Sequence, residues 1–178
     1  SKETELTFLK WNRWWIVFWK PDSHTLIPLL YMEHLRKIQK KPCIDRYPRE
    51  RYTLATKLHA TIMANNEKSA KQEFYTSLKR TGAGYFDYYL LHNQGAYNLK
   101  KSEQLDSFRF IAAQKEKGLV KKIGMSWHDS AQLLDKTLTE HPELDVVQLQ
   151  INYLDWDSLG VQSRKCYEVA EKHHVPVI

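Results

Sequence analysis

The pattern of apolar and polar positions is clearest in residues 85–93 (YFDYYLLHN), where it predicts a buried strand. Aromatic and aliphatic side chains fall on both faces of this stretch, which is typical of a parallel strand covered on both sides. Helix-like stretches lie before it (67–81) and after it (103–117). His92 stands at the carboxyl end of the strand, where parallel α/β sheets carry their chemistry. It is therefore the first candidate for a functional residue.

From residue 45 onward, strand-like and helix-like segments alternate. Short apolar runs predict strands at 52–57, 86–91, 120–126, 145–151 and 175–178. Apolar residues at helical spacing, together with glycine and proline stop signals, predict helices over 65–81, 104–117, 130–140 and 161–173. Residues 94–102 are polar and are predicted to form a loop.

The ends of the first four strands, at Lys57, His92, Ser126 and Asn152, lie 35, 34 and 26 residues apart. Each interval holds one helix, so the chain repeats a strand–helix unit with right-handed crossovers. A doubly wound sheet and a (β/α)8 barrel both fit this repeat. No glycine-rich GxGxxG turn follows any strand, which disfavours the doubly wound sheet. We predict an α/β fold, an incomplete (β/α)8 TIM barrel with about four to five parallel strands and intervening helices.

Charge and cysteine content narrow the function classes. The net charge is +6, but residues 1–44 hold 8 Lys/Arg against 4 Asp/Glu and the rest hold 19 against 17. No basic stripe crosses the body of the protein, so we expect no nucleic-acid partner. No signal peptide or run of 18 apolar residues is present, which predicts a cytoplasmic protein with no membrane partner. Cys43 and Cys166 are isolated, so we expect no metal site.

Residues 1–44 differ from the remainder, and we treat them as an atypical segment preceding a domain at 45–178. Four of the six tryptophans lie within residues 11–19, and Pro21 and Pro28 interrupt the apolar runs. Residues 17–19 and 26–30 fit neither a clean strand nor an amphipathic helix. One interpretation is an arm that binds a partner or a membrane surface. The other is that the segment does not belong to the fold.

Five polar residues occupy strand ends or the last positions within strands, and a barrel would gather them around one opening. Taken singly, each has a structural explanation: a strand-end lysine is usually solvated, and a histidine after two leucines is usually structural. Gln148 can make polar contacts within the barrel. Their shared placement predicts one site, formed by Lys57, His92, Ser126, Gln148 and Asn152.

Several ordered segments resemble the aldo/keto reductase family. They are RYTLATKL, SLKRTGAGYFDYYLLHN, GLVKKIGMS and VVQLQINYLDW, and the resemblance covers roughly residues 45–178. YLLHN, HPELDVVQLQINYLDWDS and SRKCYEVAEKHHVPVI are similar to the bacterial branch that carries a C-terminal iron–sulfur domain.

The resemblance implies that a hydride passes from NADPH to a small-molecule carbonyl substrate. Lys57 then corresponds to the lysine that lowers the pKa of a catalytic tyrosine, and His92 to the histidine that polarises the carbonyl. Ser126 and Gln148 match positions that hold the nicotinamide carboxamide, and Asn152 a further cofactor contact. Trp127 stands where the family often has asparagine.

The family's aspartate and tyrosine, carried by a DTAxxYG motif before the strand at 52–57, are absent. Codons compatible with residues 25–37 (TLIPLLYMEHLRK), read from the third base, encode TDTAFIYGASEK. Our hypothesis is that residues from about 11 to 43 are translated out of frame, which also explains the tryptophans, prolines and basic charge of this segment.

We therefore expect a truncated aldo/keto reductase that is inactive as written, because its proton donor is missing. An iron–sulfur cluster and a redox partner are expected only for the full-length protein, since two cysteines cannot hold a cluster. An open half-barrel exposes strand edges, which predicts instability or aggregation. The alternative is a non-catalytic barrel remnant whose tryptophan-rich arm binds a partner or a membrane surface.

Overall fold

A computed structural model describes residues 26–29, 48–59, 66–154 and 156–178, which contain five parallel strands. Each strand pairs with the strand that precedes it in the sequence, so the order in the sheet is β1-β2-β3-β4-β5. The strands are β1 (Leu26–Leu29), β2 (Thr53–Leu58), β3 (Phe86–Gln94), β4 (Val120–Trp127) and β5 (Val146–Gln148). This arrangement confirms the predicted α/β fold and is consistent with an incomplete (β/α)8 barrel.

Helices connect the strands from β2 onward. The described residues form a 3₁₀ turn at Arg49–Arg51 and the helices α1 (Glu67–Thr81), α2 (Ala96–Gln104), α3 (Ser107–Glu116), α4 (Ala131–Glu140) and α5 (Ser163–Lys172). Helix α1 begins at a capping box in which Asn66 and Ser69 exchange side-chain and backbone hydrogen bonds. It ends at Gly82, whose left-handed backbone (φ 65) lets its N–H bond to the carbonyl of Leu78. These local signals explain why the sequence located α1 to within two residues.

The prediction of a loop at 94–102 is wrong, because α2 occupies most of that range. Its sequence is polar, and Leu99 is the apolar residue that anchors the helix in the core. The helix predicted over 104–117 begins later, at Ser107. Asp106 has a left-handed backbone (φ 54), which separates α2 from α3.

The strands differ from prediction mainly at the two ends of the sheet. Strand β5 ends at Gln148 rather than at residue 151. Two residues later, the Gln150 carbonyl accepts a hydrogen bond from the Ser163 hydroxyl (2.6 Å) instead of taking part in a strand ladder. The strand predicted at 175–178 is only a single parallel bridge between Val177 and Val147. Strand β3 continues to Gln94, three residues beyond its predicted end.

Strand β1 was not expected, because residues 26–30 contain Pro28 and show no clean alternation. The position of β1 in the sheet explains why it can contain Pro28. Among the described strands β1 pairs only with β2, and an edge strand accommodates a proline that donates no ladder hydrogen bond. The tryptophan-rich stretch, Cys43 and the interpretation of 1–25 and 30–44 as an arm or an out-of-frame segment lie outside the described residues.

The two faces of the sheet have different roles. One face packs against the helices in a continuous apolar core whose sheet residues include Leu54, Leu58, Tyr89, Leu91, Ile123, Met125 and Val147. The other face carries a row of paired residues, Lys57, Leu90, Gly124 and Val146. Gly124 is required there, because a Cβ at this position would lie 2.2 Å from the Val146 carbonyl oxygen. The side chains one step further along this second face form the candidate site.

Candidate active site at the carboxyl ends of the strands

Four neighbouring strands bring polar side chains to one edge of the sheet. Ser126 and Gln148 are direct partners in the β4–β5 ladder. His59 and His92 come immediately after Leu58 and Leu91, which are partners in the β2–β3 ladder. We call His59, His92, Ser126 and Gln148 the carboxyl-end row; Lys57 lies one layer deeper, paired with Leu90.

Lys57 is largely buried and makes no hydrogen bond or ion pair with any residue that the structure describes. Burial disfavours its charged form and lowers the pKa of the ammonium group to about 8. A lysine with such a pKa still carries a positive charge at neutral pH, and in this poorly solvated place that charge acts strongly on its neighbours. Burial, and then the charge of Lys57, lowers the pKa of His128. The same charge adds to the effect of burial in lowering the pKa values of His59 and His92.

The rings of His59 and His92 pack on each other, with centroids 4.1 Å apart and planes inclined by 31°. Burial, followed by the charge of Lys57, lowers the pKa of His59 to about 4. Burial and the charges of His59, Lys57 and His128 lower the pKa of His92 to about 3. Both rings are therefore neutral near pH 7. A neutral imidazole has one N–H that can donate a hydrogen bond to a carbonyl oxygen.

Ser126 and Gln148 present complementary hydrogen-bonding groups side by side. The Ser126 hydroxyl oxygen accepts a hydrogen bond from the Asn93 backbone N–H (2.8 Å). Its own proton has no acceptor among the described residues and can donate to a ligand. The Gln148 Oε1 atom is buried and has no hydrogen-bond partner among the described residues. A primary carboxamide fits this pair, because its N–H can donate to Gln148 and its oxygen can accept from Ser126. This is the chemistry of the nicotinamide carboxamide.

Asn152 is not brought into the carboxyl-end row. It lies in the loop after β5, beyond the true end of that strand, and its Oδ1 atom accepts a hydrogen bond from the Leu154 backbone N–H (3.0 Å). Its predicted role as a cofactor contact stays a prediction.

Three residues near the site were missed by the sequence analysis: His59, His128 and Glu73. Alternation along β2 places His59 on the same face as Lys57, just after the strand ends. The rule that functional residues lie at the carboxyl ends of parallel strands was therefore sufficient to find it. The same rule applies to His128, which directly follows β4. Glu73 carried no such signal, since it lies on α1 and reaches the site only in the folded protein. Its carboxylate accepts the His59 backbone N–H at 3.1 and 3.2 Å, and burial raises its pKa to about 7 despite that bond.

The part of the chain that the structure describes contains no cluster of three His, Cys, Asp or Glu residues suited to hold a metal ion. Cys166 is a buried free thiol whose pKa is raised to about 11, by burial and then by the charge of Asp129. None of the described helices is both long enough and apolar enough to cross a bilayer.

Comparison with known proteins connects this geometry to a family. The sequence model of the Aldo/keto reductase family matches residues 31–178. No curated protein sequence matches the chain significantly.

Solved structures show the same fold at low sequence identity. An aldo/keto reductase from Brucella melitensis shares 24% identity with a TM-score of 0.58, covering 74% of this chain and 47% of that one. One from Bacillus halodurans in its holo form shares 19% with a TM-score of 0.57 (74% and 41% covered). One from Klebsiella pneumoniae, in complex with NADP and acetate, shares 18% with a TM-score of 0.53 (72% and 42% covered). The chain thus matches less than half the length of each.

Proposed function

This chain belongs to the aldo/keto reductase family, and from that premise we propose that it carries part of the active site of an NADPH-dependent oxidoreductase. The reaction we propose is hydride transfer to the carbonyl group of a small molecule. The observation that carries this proposal is the neutral His92 at the carboxyl end of β3, beside a largely buried Lys57 that has no acidic partner among the described residues. Polar groups held at this edge of a parallel sheet are typical of catalysis rather than of stability.

His92 is the group proposed to bind the substrate oxygen. Hydride transfer places negative charge on that oxygen, and a preorganised N–H donor stabilises the charge more than it stabilises the starting carbonyl. The low pKa of His92 keeps the imidazole neutral, so it donates a hydrogen bond without giving up a full proton. The positive charge of Lys57 favours the same anionic oxygen and lowers the pKa of any hydroxyl group placed beside it.

Ser126 and Gln148 are the residues proposed to hold the cofactor. NADPH supplies the hydride when it is bound. The unpartnered Gln148 Oε1 and the free hydroxyl proton of Ser126 fit the nicotinamide carboxamide, and they lie on adjacent strands. The Klebsiella pneumoniae relative, which was solved with NADP, supports the choice of cofactor. Asn152 is a further proposed contact, based on the resemblance alone.

The proton donor is the missing component, and we propose that its motif is encoded in another frame. In the shifted frame, DTAFIYG begins at residues 26–27. The residues as written form β1 (Leu26–Leu29) beside β2, and the family carries its motif on the strand at this place in the sheet. Without the tyrosine we expect the chain as written to be inactive, since general acid catalysis contributes roughly 10²–10⁴-fold in rate.

The iron–sulfur branch is a finer proposal. Its support is the resemblance of HPELDVVQLQINYLDWDS and SRKCYEVAEKHHVPVI to that branch. In such a protein the cluster domain follows the barrel, and a redox partner and a cytoplasmic location would be properties of the complete protein.

The test begins with the source DNA across codons 1–50, because an unbroken frame encoding DTAFIYG would restore the motif. The protein from the verified coding region is then assayed for carbonyl-dependent oxidation of NADPH. We expect His92→Ala and Lys57→Met each to lower kcat/KM by about 10²-fold or more. The exposed His174→Asn and Lys122→Met variants serve as controls and should keep full activity. Full activity in His92→Ala and Lys57→Met would show that the site assignment is wrong.

A further inference from the structure

Among the described residues, His92 has no partner for the hydrogen bond that commonly fixes a working imidazole. A histidine that uses one ring nitrogen is usually oriented through a hydrogen bond at the other. In His92 the Nδ1 atom is buried and has no hydrogen-bond partner among the described residues. Rotation about the Cβ–Cγ bond must therefore be restricted by packing, because a ring free to rotate would not present its Nε2 reliably to a substrate.

The packing is provided by His59. Its ring covers that of His92 at a centroid distance of 4.1 Å with only 31° between the planes, and the side chain of His59 is buried. Contact over a flat face opposes rotation of the covered ring, since turning it would drive its edge into the neighbour. The stack thus fixes the plane of His92 without using either of its nitrogens.

His59 is in turn fixed by helix α1. Its backbone N–H donates to both carboxylate oxygens of Glu73, at 3.2 and 3.1 Å. Glu73 is followed by Phe74, which is completely buried and makes edge-to-face contacts with Phe86 and Tyr89. The position of the His59 ring is therefore set from the apolar core, through a helix that holds none of the proposed catalytic groups.

We propose that His59 is a positioning residue, which fixes the ring plane of His92 by stacking so that Nε2 stays available to the substrate oxygen. This inference rests on the proposed role of His92. It assigns no chemistry to His59 itself. Because a flat ring is what the stack needs, phenylalanine at position 59 should replace histidine, and alanine should not.

The first test is NMR of the 178-residue chain labelled with ¹³C and ¹⁵N at histidine, comparing the wild type with His59→Ala and His59→Phe. We expect one ordered His92 ring in the wild type and in His59→Phe. In His59→Ala we expect exchange broadening or several ring conformers. The titration midpoint of His92 should also rise by one unit or more, since both burial and the charge of His59 are lost while Lys57 and His128 stay in place.

His128→Ala is the matched control, because it removes another histidine that contributes to the lowered pKa of His92 but is not part of the stack. It should change the midpoint slightly and leave the ring ordered. Backbone amide signals of β3 in each variant report whether the strand still folds. The proposal is overturned if His59→Ala leaves the order and midpoint of His92 unchanged, or if His59→Phe loses the ring order while β3 stays folded.

The second test uses the active reductase from the verified coding region. We expect His59→Ala to lower kcat by about 10- to 100-fold with a smaller change in KM, and His59→Phe to restore most of the loss. The two hypotheses fail differently. If His92→Ala is fully active, the proposed function is wrong while the NMR result still stands. If His92→Ala is inactive and the His92 ring does not respond to His59, the positioning role is wrong.

Discussion

The two ends of strand β3 differ in whether their polar side chains have hydrogen-bond and ion-pair partners among the described residues. At the amino end, the Asp87 carboxylate accepts hydrogen bonds from the Leu54 N–H (2.8 Å) and Arg49 (2.6 Å), and forms an ion pair with Lys121 (2.9 Å). At the carboxyl end, the His92 Nδ1 atom is buried without a hydrogen-bond partner among the described residues. Arg49 and Lys121 also lie over the ring of Tyr85, so the amino end forms one compact cluster.

The pKa values express the same contrast. Burial alone would raise the pKa of Asp87, but the hydrogen bonds from Leu54, Arg49 and Lys121 outweigh it and hold the pKa below its ordinary value. Burial wins at Glu73, whose pKa rises to about 7, and at Lys57, whose pKa falls to about 8. The amino end thus stabilises its charges, whereas the carboxyl end destabilises them. A buried charge that lacks a partner within the protein can be stabilised by a ligand that supplies one, which is why such groups are typical of binding and catalytic sites.

The largest effect is expected from Asp87→Asn at the amino end. The variant leaves Arg49 and Lys121 without their carboxylate, and we expect the free energy of unfolding to fall by about 3 kcal/mol in urea titrations at pH 7. Because the folded pKa of Asp87 is lowered, its contribution is present above the ordinary carboxyl pKa and is lost as pH falls through the folded value. The difference between wild type and variant should therefore shrink in acid.

Asp157→Asn is the matched control for that variant. Asp157 forms an exposed ion pair with Arg164, and its removal should change the free energy of unfolding by less than about 1 kcal/mol. Equal losses in the two variants would contradict a special role for the amino-end cluster.

Lys57→Met should change stability in the opposite direction, raising the free energy of unfolding by about 2 kcal/mol at pH 7. The folded pKa of Lys57 is lowered to about 8, so its charge costs stability below that pH. The cost is relieved between about pH 8 and the ordinary lysine value. The gain from Lys57→Met should therefore shrink in alkali, whereas the exposed Lys122→Met should show no such trend. A loss of stability in Lys57→Met would remove the contrast between the two ends.

Glu73→Gln should alter how stability depends on pH. The folded pKa of Glu73 is raised to about 7, so the wild type should lose stability as pH rises from the ordinary carboxyl value toward 7, by about 1–2 kcal/mol. Glutamine cannot ionise, and the variant should lack this part of the pH profile. Glu116→Gln, at an exposed position, should leave it in place. Identical profiles for wild type and Glu73→Gln would show that Glu73 is better solvated than its burial indicates.

The smallest effect is expected from Gln148→Met. This variant removes the buried Oε1 atom that has no hydrogen-bond partner among the described residues, and keeps a side chain of similar length. We expect the free energy of unfolding to rise by about 0.5–1 kcal/mol in urea titrations. A fall of similar size would indicate that Gln148 stabilises the fold, which would weaken its proposed role in holding a carboxamide.

The sequence located features that depend on neighbouring residues. Glycine and capping residues set the limits of α1, and alternation along β3 put His92 on the same face as Leu90. Features that depend on distant residues were missed. The Ser163 hydroxyl binds the carbonyl of Gln150, 13 residues earlier, just beyond the early end of β5, so Asn152 lies in a loop rather than at a strand end. The contact from Glu73 to His59 joins a helix to a strand end and has no periodicity to reveal it.

The order of the sheet has a consequence for synthesis on the ribosome. Every described strand after β1 pairs with the strand made just before it, so each new strand–helix unit can dock on an edge that is already in place. The carboxyl-end row is then completed in the order His59, His92, Ser126 and Gln148. The stacked histidines can form while β4 and β5 are still being translated. Ser126 and Gln148 are added last, so a nascent chain acquires the proposed substrate-binding histidine before it acquires the pair proposed to hold a nicotinamide.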